Sequence, residues 1–402
     1  MAAERFRYVI VGGGLAGASA VEGIREVDQE GRILLISSEK HLPYHRPPLS
    51  KQLWFGKKKV QDIFVKGQEF YDSHGVEVAL SRTVVSLDAG RKTLTDSAGQ
   101  VVSFEKLLLA TGGIPRRLDI PGGDLAEVCY YRFLDDYLAV RPQAAEGKAA
   151  VVVGGGFIGS EIAAALHMNH VSVTMVFPGE YLCDRVFPAE LGRAIQEQYR
   201  QRGIEIFSAD RSVGIAREGS RLAVQTKQGR RIEADLVIVG IGIAPATELA
   251  AGAGLAVENG IVANEYLQTA QPDIYAAGDN ASFPYKALGV RTRIEHWDGA
   301  LSEGKCAGRN MAGAGEPFTY MPYFYSDLFK FGYEAVGDVN SKLETFADWQ
   351  KVNDTGVVYY LQGGRVRGVM LCNVWNKLDA ARQMILGAKP IQPRELAGAI
   401  VG

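Results

Sequence analysis

Residues 8–17 read YVIVGGGLAG, in which four apolar β-forming residues run directly into three glycines. Small and apolar residues at helical spacing follow, so the stretch predicts a strand, a tight turn and the start of a helix. This is the context in which G-x-G-x-x-G marks a dinucleotide-binding turn, because the glycines permit the turn, the approach of a pyrophosphate and close helix packing. The free N–H groups of the helix start attract phosphate. The expected contacts are Gly12, Gly14, Leu15, Ala16 and Gly17.

A second copy of the pattern occupies residues 149–160, AAVVVGGGFIGS. It again places an apolar strand before a glycine turn and a helix of small residues. One such turn is a weak signal, because glycine triplets also form ordinary turns. Two copies in full context predict two dinucleotide sites in one chain. The expected contacts of the second site are Gly154, Gly156, Phe157, Ile158 and Gly159.

Ribose recognition is expected after the next strand of each copy, where an acidic residue commonly binds the hydroxyl groups. In the first copy Ser-Ser-Glu follows the strand, which makes Glu39 a candidate, with an exposed glutamate as an equal alternative. In the second copy Phe177 holds the usual place of the acid, and Glu180 is a displaced candidate. No arginine directly follows that strand to take a 2′-phosphate, which favours NADH over NADPH. Arg185, further along the chain, is an alternative partner for a 2′-phosphate, so NADPH remains an alternative to NADH.

Composition indicates a globular protein and argues against several kinds of binding partner and site. The chain has 402 residues, 47% of them hydrophobic, and a formal net charge of −2, which predicts two or three globular domains and no general attraction to nucleic acid or membranes. The short polar stretch before the first strand predicts no signal peptide, and no apolar run approaches the ~20 residues of a spanning helix. The cysteines form no C-x-x-C pair and have no metal-ligand spacing. Isolated thiols in a reducing cytoplasm, and no metal, are therefore expected for Cys129, Cys183, Cys306 and Cys372.

Two further stretches offer candidate ligand contacts. Residues 42–51, LPYHRPPLSK, contain three prolines, which predict a rigid surface loop rather than a strand or helix. Ser50, or the turn before it, can start a helix that carries Lys51. That loop would hold Arg46 and Lys51 for an anionic or electron-rich ligand, and solvated side chains are the alternative. Residues 274–279, IYAAGD, predict a short strand with Asp279 at its tip, where α/β sheets bind ligands. A turn aspartate is the alternative.

The two glycine turns, together with LLLATG at 107–112 and IYAAGD, resemble the pyridine nucleotide-disulfide oxidoreductase superfamily over essentially the whole chain. The loop LPYHRPPLSK is similar to that of ferredoxin and rubredoxin reductases and of apoptosis-inducing factor, and EHWD at 295–298 and YFYSDL at 323–328 look more like the latter. The resemblance implies an α/β fold with two Rossmann-like domains of three-layer ββα architecture and an α+β C-terminal domain. The implied ranges are an FAD-binding domain at 1–118 and 241–314, an NAD-binding domain at 119–240, and an interface or dimerisation domain at 315–402.

The same resemblance implies the roles of individual residues. Lys51 would lie near flavin N5 and pair with Glu161 across the domain interface, where a cation stabilises negative charge as hydride arrives. Tyr325 stands where the family often has tryptophan, and Gly179 stands where the apoptosis-inducing factor branch has an acid. The further implied or expected cofactor contacts are Ser38, Glu39, Arg46, Val84, Ala110, Thr111, Gly112, Arg132, Gly242, Asp279, Glu295, His296, Trp297 and Tyr325.

The expected function is transfer of hydride from NADH to FAD, with electrons passing on to a ferredoxin- or rubredoxin-type acceptor. Arg291, Arg293, Arg116, Arg117 and residues 57–59 would be docking cations, and scattered surface charge is the alternative reading of each. The alternative function is a redox-responsive protein resembling apoptosis-inducing factor, with slow NADH oxidation, a stable charge-transfer complex and NADH-dependent dimerisation. A general NADH oxidase or quinone reductase is a third reading. The expected partners are NADH, a small iron–sulfur protein and a second copy of the chain, with no nucleic acid and no membrane.

Overall fold

The computed structural model describes residues 4–387 and 389–401, so residues 1–3, 388 and 402 of the expected domain ranges lie outside the described residues. Most strands are short and apolar, as expected for strands buried between layers. The strands are β1 (Glu4–Val11), β2 (Ile33–Ile36), β3 (Val76–Ala79), β4 (Val84–Asp88), β5 (Thr93–Asp96), β6 (Val101–Leu109), β7 (Gly113–Pro115), β8 (Val128–Tyr130), β9 (Ala149–Val153), β10 (Ser172–Val176), β11 (Glu205–Phe207), β12 (Ser212–Glu218), β13 (Arg221–Thr226), β14 (Arg231–Ala234), β15 (Leu236–Val239), β16 (Ile243–Pro245), β17 (Ile261–Val262), β18 (Ile274–Ala276), β19 (Ala281–Tyr285), β20 (Val290–Thr292), β21 (Tyr323–Leu328), β22 (Phe331–Gly337), β23 (Glu344–Lys351), β24 (Thr355–Gln362) and β25 (Arg365–Cys372).

The longer helices carry small or apolar residues on the face that packs against a sheet or another helix. The α-helices are α1 (Leu15–Val27), α2 (Gln68–Ser73), α3 (Leu134–Val140), α4 (Phe157–Met168), α5 (Ala189–Gln201), α6 (Glu248–Gly252), α7 (Trp297–Met311) and α8 (Leu378–Leu386), and short 3-10 turns lie at Pro47–Ser50, Val60–Ile63, Arg141–Gln143 and Pro393–Glu395.

Residue contacts divide the chain into two units, each assembled from three segments. The first unit comprises Met1–His45, Val60–Ile114 and Ala244–Pro322, and the second comprises Arg46–Lys59, Pro115–Ile243 and Tyr323–Gly402. This division groups the loop carrying Lys51 with the second glycine turn. The three-domain ranges expected from the sequence stay a prediction.

The first unit is built on a sheet of order β3-β2-β1-β6-β5-β4, with β18 also pairing with β6. The pairs β1–β2, β1–β6, β2–β3 and β18–β6 are parallel, whereas β4, β5 and the start of β6 form an antiparallel meander. The glycine turn follows β1 at the centre of this sheet, so its open end lies at the carboxyl ends of the parallel strands.

Helices α1 and α7 of the first unit pack at very short range. A Cβ placed on Gly304 would lie 2.2 Å from the carbonyl oxygen of Ala16, and one on Gly308 would lie 2.1 Å from that of Ala20. Only glycine permits this approach. The close packing fixes the start of α1, and with it the glycine turn, against α7.

The second unit repeats the arrangement with a parallel sheet of order β11-β10-β9-β15 and β8 at its edge. An antiparallel sheet, β12-β13-β14, packs against it over a buried apolar cluster that includes Val151, Val224 and Val237. The same unit contains the antiparallel sheet β21-β22-β25-β24-β23 and α8. The α/β fold with an α+β C-terminal part, expected from the sequence, is confirmed.

The proline-rich stretch differs from its prediction as a surface loop. Pro47–Ser50 forms a 3-10 turn with prolines in its first positions, and Pro48, Leu49 and Ser50 are buried rather than on the surface. Proline fits the first helical positions because its fixed φ suits them and no N–H is needed there. Lys51 directly follows this turn. Within the described part of the chain, none of the helices has the length and apolar character of a membrane span.

Candidate active site

The first glycine turn has the geometry of a phosphate cradle. Gly12 has φ +127°, and a Cβ there would lie 2.0 Å from the carbonyl oxygen of Ala110. A Cβ on Gly17 would lie 2.1 Å from the carbonyl oxygen of Gly12, whereas one on Gly14 would meet nothing within 4 Å. The first and third glycines are therefore required by packing, and the middle one leaves open space.

The start of α1 keeps that space suited to an anion. Gly14 caps the helix without a side-chain hydrogen bond, and the first turn has no acidic residue. Leu15 and Ala16 begin the helix and are buried. Uncapped N–H groups at a helix start bind phosphate through hydrogen bonds and the helix dipole, so the turn fits the pyrophosphate of a dinucleotide.

The predicted ribose contacts lie just after β2. Ser38 is exposed and Glu39 is partly buried. The Tyr44 hydroxyl donates to Glu39 Oε2 at 2.6 Å. This bond holds the Glu39 carboxylate in one position, and its role toward ribose stays a prediction.

The predicted contacts at the carboxyl end of β6 and β18 also lie in the first unit. Thr111 Oγ1 donates to the carbonyl oxygen of Ala246 at 2.6 Å and accepts from Asn280 Nδ2 at 3.0 Å. Gly112 has φ +66°, and Ala110 is buried. Asp279 is partly exposed at the tip of β18, and its carbonyl oxygen accepts from Arg293 at 2.9 Å. Val84 is partly buried at the start of β4.

The motif EHWD spans the start of α7. His296 caps the helix, and burial lowers its pKa to about 4, so it is neutral at physiological pH. Trp297 Nε1 donates to His45 Nδ1 at 2.9 Å. Glu295 is exposed and pairs with Arg293 at 2.5 Å. Arg293 is thus held by its own unit, with a side chain only 9% exposed, which argues against its expected docking role.

A buried carboxyl group behind the tip of β18 was not predicted from the sequence. Glu303 in α7 is fully buried, and its Oε2 accepts from the N–H of Gly278 at 2.9 Å. Its Oε1 has no hydrogen-bond partner among the described residues. Burial raises the pKa of Glu303 well above its usual value, because a charged carboxylate is poorly solvated there.

The second glycine turn repeats the first. Gly154 also has φ +127°, and a Cβ there would lie 2.3 Å from the carbonyl oxygen of Gly240. A Cβ on Gly159 would lie 2.1 Å from the carbonyl oxygen of Gly154, and one on Gly156 would meet nothing within 4 Å. Gly156 caps α4 without a side-chain bond or first-turn acid. This turn too fits a pyrophosphate, with Phe157 and Ile158 opening the helix.

The residues after β10 differ from the expected ribose site. Phe177 is buried beneath the turn, where a Cβ on Gly155 would lie 2.6 Å from its ring. Glu180 is 71% exposed and pairs with Arg193 at 2.7 Å. Phe177 has no carboxylate, and the carboxylate of Glu180 is already paired with Arg193. Neither residue therefore offers an unpaired carboxylate beside the glycine turn.

A buried charged cluster in the second unit joins Lys51 to Glu161 of α4. The Lys51 ammonium lies 3.1 Å from Glu161 Oε1, with the side chains 6% and 7% exposed. Ser326 donates to Oε1 at 2.5 Å and Ser50 donates to Oε2 at 2.5 Å. The predicted contact is present, and three donors fix the carboxylate. The catalytic role of the pair stays a prediction.

Tyr325 and Asp327 of β21 complete the surroundings of Lys51. The ammonium lies 4.4 Å from the centre of the Tyr325 ring and 4.0 Å from the half-exposed carboxylate of Asp327. Burial first, and then the charge of Glu161, raises the pKa of Tyr325 to about 12. The tyrosine is therefore neutral, and the cluster presents one buried cation fixed by carboxylates and an aromatic face.

Three predicted contacts lie elsewhere in the second unit. Arg46 donates to the carbonyl oxygen of Arg132 at 3.1 Å and stacks over Phe133, with 5.0 Å from its guanidinium carbon to the ring centre. The N–H of Arg132 donates to Asp136 at 2.8 Å. Gly242 has φ +94°, and its carbonyl oxygen accepts from the N–H of Arg116 at 2.9 Å. Their roles toward a cofactor stay predictions.

The cysteines are all free thiols. Burial raises the pKa of Cys306 to about 11 and those of Cys129 and Cys183 to about 12, and it also raises that of Cys372. Thiols in this state are poor nucleophiles at neutral pH. Among the described residues, no group of three or more His, Cys, Asp or Glu side chains is arranged to hold a metal ion.

Comparison with known families identifies the chain. A model of the pyridine nucleotide-disulphide oxidoreductase family matches residues 6–304. The chain belongs to this family. A second model, the C-terminal part of mitochondrion-associated apoptosis-inducing factor, matches residues 307–355.

Relatives of this oxidoreductase extend along nearly its whole length. Apoptosis-inducing factor 1 of Dictyostelium discoideum, a mitochondrial protein, is 34% identical over 97% of this chain and 80% of its own. Peroxisomal monodehydroascorbate reductase 4 of Arabidopsis thaliana is 34% identical over 91% of this chain and 79% of its own.

Solved structures agree in fold. The ferredoxin reductase of the CYP199A2 system from Rhodopseudomonas palustris gives a TM-score of 0.91 at 30% identity over 97% of both chains. Putidaredoxin reductase in its covalent complex with putidaredoxin gives 0.91 at 32% identity, over 98% of this chain and 95% of its own. Family members and the ferredoxin reductases use FAD and NAD(P)H, so this oxidoreductase is an FAD-dependent enzyme. The membership expected from the sequence is confirmed.

Proposed function

We propose that this oxidoreductase takes hydride from NADH and passes electrons to a ferredoxin- or rubredoxin-type iron–sulfur protein. The observation that carries the proposal is the match to two reductases of this kind over 97% and 98% of the chain, each with a TM-score of 0.91. The state of the thiols also supports it. The sequence has no C-x-x-C pair and the cysteines are free thiols, which favours a route in which electrons leave directly from the flavin rather than through a dithiol.

The first glycine turn, with Gly12, Gly14 and Gly17, would hold FAD, and the second would hold NADH. Bound FAD supplies a ring that accepts a hydride and releases electrons singly. The chain itself would contribute charge and position. Glu161 and its two serine donors hold the Lys51 ammonium in a buried setting, where a fixed cation stabilises developing negative charge more than it would in water.

Docking of the acceptor would use surface cations. The candidates are Lys57, Lys58 and Lys59, which are exposed. They follow the loop that carries Lys51 in the sequence. Acidic iron–sulfur proteins are attracted to such patches, and the attraction weakens in salt. Cytoplasmic placement stays a prediction that depends on the free cysteines.

The test uses the FAD-loaded protein, NADH and three acceptors: a ferredoxin, a rubredoxin and monodehydroascorbate. We expect fast flavin bleaching by NADH and fast reduction of an iron–sulfur acceptor that falls as salt rises. Charge reversal at 57–59 should slow acceptor reduction but not bleaching, and Lys227→Glu, at another exposed lysine, should change neither. Reduction of monodehydroascorbate alone would refute the proposed acceptor.

A second candidate is a redox-responsive protein like apoptosis-inducing factor, favoured by the family model over residues 307–355. It predicts slow bleaching by NADH, a long-wavelength absorbance band that persists in air, and an increase in molecular mass. Light scattering during the same NADH titration separates the two candidates. Fast turnover with an unchanged mass would exclude the second.

A further inference from the structure

In each unit the glycine turn packs against the segment that follows the neighbouring strand. The two turns, and the two segments, correspond residue for residue. A Cβ on Gly13 would lie 2.3 Å from Ser37 Oγ, and one on Gly155 would lie 2.6 Å from the Phe177 ring. Ser37 and Phe177 are each the first residue after the strand, β2 or β10. The third residue after the strand is Glu39 in the first unit, and it is Gly179 in the second.

The space beside Gly179 is filled by the carboxylate of Asp184. A Cβ on Gly179 would lie 2.3 Å from Asp184 Oδ2, 2.7 Å from its Cγ and 3.3 Å from its Oδ1. The φ of Gly179 is not in the left-handed region, so the neighbouring carboxylate, and not the backbone, excludes a side chain. A glutamate places its carboxyl carbon about 2.5 Å from its own Cβ. Asp184 thus holds a carboxylate as far from this point as an acid at position 179 would.

The loop that carries Asp184 is tied to the glycine turn. The N–H of Cys183 donates to the carbonyl oxygen of Gly155 at 2.7 Å. Ser341 donates through its hydroxyl to the carbonyl oxygen of Asp184 at 2.5 Å and through its N–H to that of Arg185 at 3.1 Å. The first bond ties the residue before Asp184 to the glycine turn, and the other two anchor the loop at Asp184 and Arg185.

The carboxylate of Asp184 is also uncommitted. Across the described parts of the chain it has no hydrogen bond or ion pair, and the side chain is only partly exposed. Glu180, the acid favoured from the sequence, is instead mostly exposed and engaged by Arg193 at 2.7 Å. Asp184 is therefore the acid with free hydrogen-bonding capacity beside the second turn.

We propose that Asp184 binds the adenosine ribose hydroxyls of the nucleotide and sets the preference for NADH over NADPH. The proposal rests on the assignment of NADH to the second turn. A carboxylate accepts hydrogen bonds from both ribose hydroxyls, and it repels a 2′-phosphate. The acid missing at position 179 is thus supplied from five residues further along the chain.

Calorimetric titration of the FAD-loaded protein with NAD⁺ and NADP⁺ tests this without turnover. We expect NAD⁺ to bind more tightly, and Asp184→Asn to weaken NAD⁺ about 10- to 100-fold while leaving NADP⁺ unchanged or tighter. Glu180→Gln should leave the ratio of the two affinities within about twofold. An unchanged ratio in Asp184→Asn, or a lowered ratio in Glu180→Gln, would overturn the proposal.

A variant that moves the carboxylate from position 184 to position 179 distinguishes loss of the ribose contact from misfolding. Asp184→Ala removes the group that blocks position 179, so Gly179→Glu combined with it moves the acid to the position that corresponds to Glu39. We expect the pair to recover NAD⁺ preference that Asp184→Ala alone loses, and no recovery would count against the proposal. Tighter binding of NADP⁺ by the unmodified protein would overturn it in favour of Arg185. Binding of neither nucleotide would instead refute the proposed function.

Discussion

The Lys51–Glu161 pair allows a direct test of the buried cluster through a double-mutant cycle. The two charges are 3.1 Å apart and about 6% and 7% exposed. At an effective dielectric constant of about 20, this distance corresponds to about 5 kcal/mol of attraction. Lys51→Met leaves a buried carboxylate, and Glu161→Gln leaves a buried ammonium.

Removal of one partner of a buried pair costs about 3–5 kcal/mol, because the other charge loses its compensation. The lower end is expected here, since Glu161 keeps two serine donors and Lys51 keeps Asp327 at 4.0 Å. A loss of about 3 kcal/mol lowers the unfolding midpoint by about 6–12 °C in a domain of this size. The double variant leaves no buried charge, so its midpoint should lie at or above that of the less stable single variant.

The assay is thermal unfolding at fixed protein and FAD concentrations, because bound cofactor shifts the midpoint. Lys148 and Asp235 provide a matched control, with the same 3.1 Å separation but 49% and 22% exposure. Lys148→Met should cost at most about 1 kcal/mol. If the double variant loses the full sum of the two single losses, Lys51 and Glu161 are not coupled and do not stabilise each other.

Three further outcomes are expected. Lys51→Met should slow flavin bleaching by NADH about 10²- to 10³-fold in stopped flow, and an unchanged rate would remove Lys51 from the mechanism. Gly12→Ala should yield colourless protein, because φ is +127° and the Cβ has no room. The control Gly67→Ala has open space for its Cβ and should stay yellow. The measurement is FAD absorbance per chain, and a yellow Gly12→Ala protein would refute the prediction. Burial would raise the pKa of Asp28, but hydrogen bonds, first from Tyr8, lower it to about 2. This carboxyl group therefore contributes about 2 kcal/mol above pH 4 that is lost toward pH 2, and Asp28→Asn should flatten that part of a midpoint-against-pH curve; an equally steep curve would contradict the assignment.

The glycine turns could be predicted from the sequence because each depends on neighbours within one strand, one turn and one helix. Gly12 and Gly154 share φ +127° and the same carbonyl contact, which is the local requirement that the motif encodes. The strands before and after each turn were likewise expected from short apolar runs. Local steric rules operate over a few residues, so a single sequence carries them.

The surroundings of Lys51 could not be predicted in the same way. Ser50 and Ser326 both donate to Glu161, from 111 and 165 positions away. A serine that will bind a buried carboxylate has no local pattern that separates it from a serine in a turn. Asp184 had one signal, the glycine at position 179 where the first unit has Glu39, but only the folded loop shows which acid fills the space.

Anaerobic titration of the yellow protein with NADH asks whether one chain holds both FAD and NADH and passes hydride between them. We expect one FAD per chain, and loss of the flavin absorbance that is complete after one equivalent of NADH. It also predicts that Gly156→Val, which fills the open space at the second turn, weakens the response to NADH but leaves FAD bound. A chain that holds no flavin, or whose flavin absorbance does not change with NADH, would show that it is not an NADH-reducible flavoprotein.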